Sequence, residues 1–376
     1  MKKKILISFG TRPEAIKLAK LIHKLKITKK FTVKICVSGQ HNQMLYQVLK
    51  LYKIKPDYDL KVMKTNQSLN LLSSKILKKL NEVLLDFKPD LLIVHGDTTT
   101  AFISSLAAFQ NRIKVAHIEA GLRTNNIDYP YPEEFNRRSI GIIANLNYAP
   151  TQLAIDNLKN ENIKKDKILL TGNTIIDTLK YSYNILLKNK KIFNKIKKNY
   201  SFISIKKKLI IVTSHRRENY GKGIINICLA LKEIVTKNDN IQIIFPVHLN
   251  PKISNIVKKQ LANIKNIYLV KPVDYFSFIY LMKSSFLIMT DSGGIQEEAP
   301  SFNKPLLVLR NETERPEAKK IGGSLLVGTN QKKIVAATMK LINDKKLYNK
   351  MSKIKNPYGD GKATTRIIDN LKKYLR

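Results

Sequence analysis

Residues Gly10 to Lys17 carry side chains that could bind an anion. The segment reads Gly-Thr-Arg-Pro-Glu-Ala-Ile-Lys and follows an apolar run that ends at Phe9. Pro13 fits the first turn of a helix, where its missing N–H costs no hydrogen bond. Arg12 and Lys17 are therefore predicted near a helix N-terminus, which attracts negative charge through its backbone N–H groups and its dipole. Taken alone, the segment is more typical of an ordinary strand-to-helix connection with surface cations, and only the rest of the chain favours an anion site.

Two carboxylates follow predicted strands in the first half of the chain. Asp97 comes two residues after Leu91–His95, and Glu119 comes directly after Val115–Ile118. Ligands of open α/β sheets bind at such carboxyl ends of strands. Asp97 also suits a helix N-cap, so the sequence leaves its role open between capping and catalysis. Glutamate is a poor N-cap and Ala-Gly is a poor helix start, which favours a functional role for Glu119.

A third acidic group follows the stiff segment Tyr-Pro-Tyr-Pro at 129–132. Glu133 and Glu134 are predicted in the first turn of a helix, where carboxylates compensate the helix dipole. The preceding prolines could equally hold Glu133 over a cleft. Both interpretations remain open at this point.

The second half offers a histidine and an anion site. His215 and two arginines follow the predicted strand Leu209–Thr213, which combines a proton donor with positive charge. His248 ends the next strand and is more typical of a structural residue.

The segment 289–298 reads Met-Thr-Asp-Ser-Gly-Gly-Ile-Gln-Glu-Glu. Ser292, Gly293 and Gly294 are predicted to open a helix directly after a strand, where glycines let backbone N–H groups approach a diphosphate. Glu298 lies one helical turn further on and can accept hydrogen bonds from ribose hydroxyls. Together these residues predict a nucleoside-diphosphate site. The Walker pattern, the Gly-x-Gly-x-x-Gly pattern and zinc-ligand spacings are absent from the sequence, so neither a metal nor a nicotinamide cofactor is expected.

Short runs rich in β-branched residues alternate with helical patterns and must position these groups. The predicted strands are Ile5–Phe9, Val33–Ser38, Leu91–His95, Val115–Ile118, Asn147–Ala149 and Ile168–Thr171, then Leu209–Thr213, Ile241–Val247, Ile267–Val270, Phe286–Thr290, Pro305–Leu309 and Leu325–Val327. Their continuous hydrophobicity is typical of parallel sheets covered by helices, such as those predicted at Leu71–Asp86 and Ile224–Thr236. We expect two doubly wound α/β domains, with the boundary near 172–210.

A short repeat supports this duplication of architecture. The sequence Arg-Pro-Glu-Ala occurs at 12–15 and again at 315–318, each time after a strand-like run. The repeat predicts that both halves present an arginine at a helix start facing a shared cleft.

Composition limits the class of protein. A length of 376 residues with 43% hydrophobic residues suits two domains with real cores. The net charge of +40 comes mostly from lysine, which together with abundant Ile and Asn is typical of an AT-rich genome. Lysine runs such as 188–191 and 206–208 fall between apolar elements and lack interleaved aromatic residues, so nucleic-acid binding is not expected. Cys36 and Cys228 lie in apolar runs, and the sequence shows neither a secretory signal nor an apolar run long enough to span a bilayer. We therefore expect a cytoplasmic protein with reduced cysteines and no membrane insertion.

The motifs, taken in order, resemble those of the non-hydrolysing bacterial UDP-N-acetylglucosamine (UDP-GlcNAc) 2-epimerases. The resemblance extends from residue 4 to about residue 361. The motifs that carry it are Gly10–Lys17, His95–Thr100, Glu119–Thr124, Pro132–Glu134, Thr171–Thr174, His215–Glu218, Asp291–Pro300 and Thr313–Glu317.

The resemblance implies two Rossmann-like domains of glycosyltransferase-B type with the active site in the interdomain cleft. They would span residues 1–172 and 173–362, with a C-terminal helix at about 363–376 packing back on the first domain. It also implies a homodimer with no metal or redox cofactor. The implied reaction is the reversible epimerisation of UDP-GlcNAc at C2 to UDP-N-acetylmannosamine (UDP-ManNAc), through elimination of UDP to 2-acetamidoglucal and re-addition. Such an isomerase would supply N-acetylmannosamine (ManNAc) units for surface polysaccharide synthesis.

The resemblance also assigns site residues. The implied catalytic set is Asp97, Glu119, Glu133 and His215. The implied substrate contacts are Arg12, Lys17, Arg137, Phe278, Ser292, Gly293, Gly294, Glu298 and Arg315, with Phe278 near the uracil.

One motif departs from the family pattern. Some members carry a regulatory substrate site, for which Gln40, His41, Gln43 and Gln67 are the candidates here. The second regulatory motif has an arginine before its glutamine in those members, whereas this chain has Asn66. Because asparagine cannot make the bidentate diphosphate contact of arginine, we expect weak or absent activation by substrate. Two alternative functions are a hydrolysing epimerase that releases ManNAc and UDP, and a glycosyltransferase of the same fold.

Overall fold

The computed structural model describes residues 2–40, 42–64 and 67–376. Its internal contacts divide the chain into two units. The first comprises Met1–Thr178 with Tyr358–Arg376, and the second comprises Leu179–Pro357. Each unit contains one parallel sheet with helices, which confirms the predicted doubly wound α/β class.

The sheet of the first unit has seven parallel strands in the order β3-β2-β1-β4-β5-β6-β7. The strands are β1 (Lys3–Phe9), β2 (Phe31–Val37), β3 (Tyr58–Asp59), β4 (Leu91–His95), β5 (Lys114–Ile118), β6 (Leu146–Ala149) and β7 (Ile168–Leu170). The first helices are α1 (Arg12–Ile27), α2 (Asn42–Leu51), α3 (Leu69–Phe87), α4 (Thr99–Gln110), α5 (Glu133–Ile143), α6 (Gln152–Asn160) and α7 (Thr174–Lys188). The two-residue strand β3 is too short for a hydrophobic pattern and was not predicted.

The sheet of the second unit has six parallel strands in the order β10-β9-β8-β11-β12-β13. They are β8 (Lys208–Thr213), β9 (Ile241–Pro246), β10 (Ile267–Val270), β11 (Leu287–Thr290), β12 (Leu306–Val308) and β13 (Ser324–Leu326). The remaining helices are α8 (Lys190–Asn199), α9 (Lys222–Lys237), α10 (Pro251–Leu261), α11 (Tyr275–Ser284), α12 (Gly293–Glu298), α13 (Pro316–Lys320), α14 (Gln331–Asn343), α15 (Lys345–Ser352) and α16 (Ala363–Tyr374). The central strands of both sheets are buried on both faces, as their continuous hydrophobicity predicted.

The last helix, α16, belongs to the first unit although it follows the second in sequence. Its own N-terminus has no side-chain cap, and the buried carboxylate of Asp177 accepts hydrogen bonds from the backbone N–H groups of Ala363 and Thr364 at 3.0 and 2.9 Å. Further along, Asn370 accepts a hydrogen bond from the hydroxyl of Tyr148 at 2.9 Å. These polar contacts attach the returning chain to α7 and β6.

Strand register sets the position of the functional segments. In the first unit His95 pairs with Ile118, so the turns after β4 and β5 lie side by side. In the second unit Thr290 pairs with both Thr213 and Val308, so the segments after β8, β11 and β12 meet at one sheet edge. Among the described helices, none is long and apolar enough to cross a membrane.

Candidate active site

The connection between β1 and α1 has the predicted form. Thr11 caps α1, and Pro13 lies in its first turn beside Arg12. Glu14 completes a capping box, since its carboxylate accepts the backbone N–H of Thr11 at 2.8 Å and that of Gly10 at 3.1 Å. The other Glu14 oxygen accepts a hydrogen bond from the hydroxyl of Thr98 at 2.9 Å. Glu14 therefore joins the turn that carries Arg12 to the turn that carries Asp97, and burial raises its pKa to about 7 despite these hydrogen bonds.

Glu119 lies at the centre of a buried polar cluster at the end of β5. The ammonium group of Lys17 and the side-chain amide of Asn173 both donate to its Oε2 atom, the amide at 3.0 Å. His95 Nε2 lies 3.6 Å from the same oxygen. The backbone of Glu119 has φ +66, which residues other than glycine seldom adopt. Such backbone conformations cluster at functional sites. The structure thus brings together Lys17 and Glu119, two residues that are 102 positions apart.

Two histidines near the ends of β4 and β5 are buried. Burial lowers the pKa of His95 to about 4, against the attraction of Glu119. Burial also lowers the pKa of His117 to about 4, and His117 Nε2 lies 2.7 Å from the carbonyl oxygen of Gly96. Both imidazoles are therefore neutral near pH 7, whereas the ammonium group of Lys17 pairs with Glu119.

Asp97 is paired rather than used as a cap. Thr98 is the N-cap residue of α4, so the capping alternative for Asp97 is wrong. Its carboxylate accepts hydrogen bonds from Arg137 at 2.5 and 3.1 Å, while the amide of Asn136 donates to its carbonyl oxygen at 2.9 Å. About a quarter of the Asp97 side chain remains exposed. Asp97 and Arg137, two predicted site residues, thus meet at the end of β4.

The acidic pair at the start of α5 divides into two environments. Glu134 is fully buried, accepts the backbone N–H groups of Thr124 and Asn125, and pairs with Arg137 at 3.0 Å. Glu133 is half-buried in the first turn of the same helix. The helix start was predicted, and Glu134 is the residue that fixes the loop against α5.

In the second unit, the fully buried carboxylate of Asp291 organises the segment after β8. Its Oδ2 atom accepts four hydrogen bonds, from Ser214 Oγ at 2.8 Å, the backbone N–H groups of His215 and Arg216 at 2.9 Å each, and Asn219 Nδ2 at 3.0 Å. The imidazole of His215 is 40% exposed and its Nδ1 lies 3.3 Å from Asp291. Partial burial lowers the pKa of His215 although the carboxylate opposes this. The neighbouring ring of His248 stacks on His215 at 6.0 Å between centroids.

An arginine–glutamate network adjoins this segment. The buried Arg310 donates to Glu218 and Glu314, at 2.6 Å each, and so joins the segment after β8 to the segment after β12. Arg315 donates to Glu314 at 2.6 Å and to Glu297 at 2.7 Å. Burial raises the pKa of Glu314, but Arg315 and Arg310 outweigh it and lower that pKa to about 2.

Arg315 lies directly against the start of α12. A side chain at Gly293 would place its Cβ 2.8 Å from the guanidinium carbon of Arg315, so the guanidinium would have to move from its present position. Ser292 is the N-cap residue of α12, as predicted, and Gly294 has open space around it. Glu298 at the end of α12 accepts a hydrogen bond from the hydroxyl of Tyr275, and Phe278 is buried on the same helix as Tyr275.

Three of the four candidate regulatory residues are described, and these three lie in the first unit. Gln40 accepts a hydrogen bond from Thr100 at 2.9 Å, Gln43 is exposed on α2, and Gln67 contacts Lys75 at 3.2 Å. His41 and Asn66 lie outside the described residues.

Several residues of the two clusters carry no role in the sequence-based set. They are Glu14, His95, Asn173, Glu134, Asp291, Arg310 and Glu314. All but Arg310 stand inside the motifs quoted above. Only long-range contacts distinguish them, so local pattern offered no signal. In the part of the chain that is described, no group of three or more His, Cys, Asp or Glu side chains is placed to hold a metal ion.

Comparison with known proteins gives consistent matches over nearly the whole chain. A family model described as UDP-N-acetylglucosamine 2-epimerase matches residues 23–372. The chain is 52% identical to the UDP-N-acetylglucosamine 2-epimerase of Campylobacter jejuni over 375 residues, which cover 99% of this chain and 98% of the relative. It is 48% identical to the enzyme of that name from Escherichia coli K12, with 98% of each chain covered.

Solved structures agree with these relatives. The UDP-GlcNAc 2-epimerase of Neisseria meningitidis, bound to UDP-GlcNAc, superposes with a TM-score of 0.94 at 47% identity and covers 98% of this chain and 100% of its own. A Methanocaldococcus jannaschii UDP-GlcNAc 2-epimerase in complex with UDP-GlcNAc and UDP gives a TM-score of 0.85 at 34% identity, with 98% and 99% covered.

Proposed function

Because the chain belongs to the UDP-N-acetylglucosamine 2-epimerase family, we propose that it interconverts UDP-GlcNAc and UDP-ManNAc by inverting C2 of the sugar. The observation that carries the proposal is the buried carboxylate of Glu119, held by Lys17 and Asn173 at the end of β5. Inversion at carbon needs a group that removes a proton and a group that returns one, and carboxylates at strand ends are suited to both steps.

The chemical difficulty is the proton on C2. The acetamido group is joined to C2 through nitrogen, so it does not make this proton acidic. We propose that the bond from C1 to the UDP oxygen breaks as the C2 proton leaves, which gives 2-acetamidoglucal and UDP. Protonation of C2 from the opposite face and return of UDP to C1 then give the epimer. Positive groups that stabilise the departing diphosphate supply the largest share of the rate enhancement.

Proton transfer is assigned to groups of both units. We propose Asp97, Glu119, Glu133 and His215 as the acid, base and supporting groups, without assigning each to one face of the sugar. The ammonium group of Lys17 favours an ionised Glu119, because an opposite charge within hydrogen-bond distance stabilises the charged form. An ionised carboxylate can act as a base.

UDP binding is assigned to the N-terminus of α12 and to three arginines. The N-terminus of α12, with Ser292, Gly293 and Gly294, and the guanidinium of Arg315 are proposed to bind the diphosphate. Glu298 is proposed to accept the ribose hydroxyls, and Phe278 to lie near the uracil. Arg12 and Arg137 are proposed as further contacts from the first unit. The interdomain position of this site remains a prediction.

Replacement of Arg12 tests whether the start of α1 contributes to UDP binding. Arg12→Ala should abolish turnover of UDP-GlcNAc and leave the circular dichroism spectrum unchanged, because the α1 cap is made by Thr11 and Glu14. Lys24→Ala, an exposed change on the same helix, is the matched control and should retain activity. Full activity of Arg12→Ala would contradict the assignment.

The products separate the epimerase from its two alternatives. UDP-ManNAc as the main product, with little free sugar, supports the proposal. Free ManNAc with stoichiometric UDP would support the hydrolysing enzyme. A strict requirement for an added acceptor would support a glycosyltransferase.

We also propose that two copies associate through an apolar stripe on α4 and α5. Phe102 and Phe109 are seven residues apart on α4, and Phe135 and Ile142 are seven apart on α5. The rings of Phe102 and Phe135 meet edge to face at 5.5 Å, which joins the two rows, and Phe109 and Ile142 are 60% and 73% exposed. An exposed apolar stripe of this kind marks an interaction surface.

Sedimentation velocity tests the homodimer. The unaltered chain should sediment as a dimer, and Phe109→Glu with Ile142→Glu should give a monomer. Ile205→Glu, at an exposed isoleucine of the second unit, is the control and should stay dimeric. A monomeric unaltered chain would overturn the proposal.

The proposed location is the cytoplasm, and the proposed use of the product is ManNAc supply for surface polysaccharides.

A further inference from the structure

We propose that Asn173 is a positioning residue that couples the carboxylate of Glu119 to the crossing of two chain segments, residues 171–174 and 358–360. The proposal rests on the function proposed for Glu119. Asn173 is 3% exposed and lies between the last strand of the first unit and α7.

The side chain of Asn173 has a defined orientation. Its Oδ1 atom accepts the backbone N–H of Ile175 at 3.0 Å, so the amide nitrogen is the atom that points at Glu119. That nitrogen donates to Glu119 Oε2 at 3.0 Å. Asn173 therefore uses its Oδ1 acceptor in the local turn and its Nδ2 donor on the carboxylate of Glu119. A carboxyl group at position 173 would keep the hydrogen bond from the N–H of Ile175 and would change the contact with Glu119.

The backbone of Asn173 is fixed by the returning chain. Its N–H donates to the carbonyl oxygen of Tyr358 at 2.7 Å. Two glycines let the segments approach, since a Cβ at Gly172 would lie 3.3 Å from the Cα of Gly359, and a Cβ at Gly359 would lie 3.3 Å from the nitrogen of Asn173. Both glycines also have positive φ, +84 and +150. The crossing is therefore close and specific.

The crossing lies close to the points at which the chain leaves the first unit and returns to it. The chain leaves the first unit within α7, between residues 178 and 179, and returns to it at Tyr358. Asn173 is thus bonded through its backbone to the first residue after the return, and through its side chain to the carboxylate proposed for proton transfer. A shift of either connecting segment moves the amide that holds Glu119 Oε2.

The charged and titratable groups that contact Glu119 come from separate elements: Lys17 comes from α1 and His95 ends β4. Asp97, which follows β4, and His117, which lies on β5, interact electrostatically with His95. Among the groups named here, Asn173 is the only uncharged donor that cannot titrate. It can hold Oε2 at any pH at which the protein is folded.

The test changes the donor without changing the turn. In Asn173→Asp, the new carboxyl group keeps the acceptor for the N–H of Ile175 and places a second acid against Glu119 Oε2. Two adjacent carboxyl groups share a proton and raise an apparent pKa. We expect the acidic limb of the pH profile of kcat to move up by about one unit or more. We also expect kcat at pH 7 to fall by about 10- to 100-fold, with a smaller change in KM, as misplaced catalytic groups do.

Two further variants complete the design. Asn173→Ser replaces the amide donor by a hydroxyl on a shorter side chain without adding charge, so kcat should fall while the pH limbs stay in place. Asn157→Asp is the matched control, because the amide of Asn157 donates to the backbone carbonyl of Gly121 at 2.9 Å and not to an acid. This control should keep the unaltered pH profile. Circular dichroism melting of each variant reports folding separately.

Glu119→Gln distinguishes this inference from the proposed function. If Glu119→Gln retains full activity, the role proposed for Glu119 is wrong. If Glu119→Gln is inactive, while Asn173→Asp and Asn173→Ser keep the unaltered kcat and pH profile, only the role of Asn173 is overturned.

Discussion

The substitution Asp291→Asn should loosen the segment that carries His215. In the unaltered protein, four donors converge on one oxygen of a fully buried carboxylate. Hydrogen bonds to charged groups contribute about 1.5–3 kcal/mol each, against about 0.5–1.5 kcal/mol for neutral partners. Neutralising the acceptor therefore costs about 1 kcal/mol per bond, or about 4 kcal/mol for the four. An amide is less costly to bury than a carboxylate, and this returns part of the loss, so we expect a net cost of about 2–4 kcal/mol.

Hydrogen exchange of the backbone amides of His215 and Arg216 measures this cost directly, because these amides donate two of the four bonds. A change of about 2–4 kcal/mol in the local opening free energy corresponds to about 30- to 900-fold faster exchange. The turnover rate should fall in the same variant, since the proposed proton donor and its neighbouring cation are both on the loosened segment.

The matched control is Asp274→Asn. Asp274 caps α11, accepts hydrogen bonds from the backbone N–H and hydroxyl of Ser277 and is exposed. Asparagine caps a helix about as well as aspartate, so this variant should change neither exchange nor turnover. Unchanged exchange at His215 in Asp291→Asn would refute the argument that the buried charge organises the segment.

Three further predictions concern α16, the arginine network and regulation. Asp177→Ala removes the acceptor of two buried N–H groups and should lower the stability of α16 by about 3 kcal/mol or more, which limited proteolysis would detect as faster cleavage of the C-terminal segment. The control Asp369→Ala breaks an exposed ion pair and should not change the rate of cleavage. The pKa of Glu314 is lowered from 4.5 to about 2 in the folded state, so its stabilising contribution is present above pH 4.5 and is lost as the pH falls towards 2. Glu314→Gln should accordingly lower the free energy of unfolding at pH 7 much more than at pH 3, and an equal loss at both would contradict this sign. Initial rates should depend hyperbolically on UDP-GlcNAc because Asn66 replaces an arginine, and strongly sigmoidal kinetics would contradict that expectation.

The central strands could be predicted because they are buried on both faces and so read as continuous apolar runs, as in β4 and β11. Leu91–His95 and Ile267–Val270 were predicted with the bounds that the structure has, since polar residues or turns follow each run at once. The helix starts at Arg12 and Gly293 were also predicted, from proline and glycine placement. The helix predicted at Ile224–Thr236 begins earlier, at Lys222, because Gly221 with φ +70 supplies the turn that precedes α9.

The polar clusters could be predicted only in part. Strand ends indicated Glu119 and Asp97, because strand ends of a parallel sheet share one edge. The partners of these carboxylates come from distant positions, and no local pattern indicates that Asn173 reaches Glu119 or that Arg137 reaches Asp97. Asp291 was part of a quoted motif, yet its hydrogen bonds depend on the register between β8 and β11.

Isotope exchange at C2 tests the proposed elimination most directly. UDP-GlcNAc is incubated with the protein in D2O and followed by proton NMR until the two epimers reach equilibrium. The account predicts that deuterium appears at C2 of both UDP-GlcNAc and UDP-ManNAc, because the proton removed from C2 is replaced by one that has exchanged with solvent. Epimerisation with the original proton retained at C2 of both sugars would contradict it.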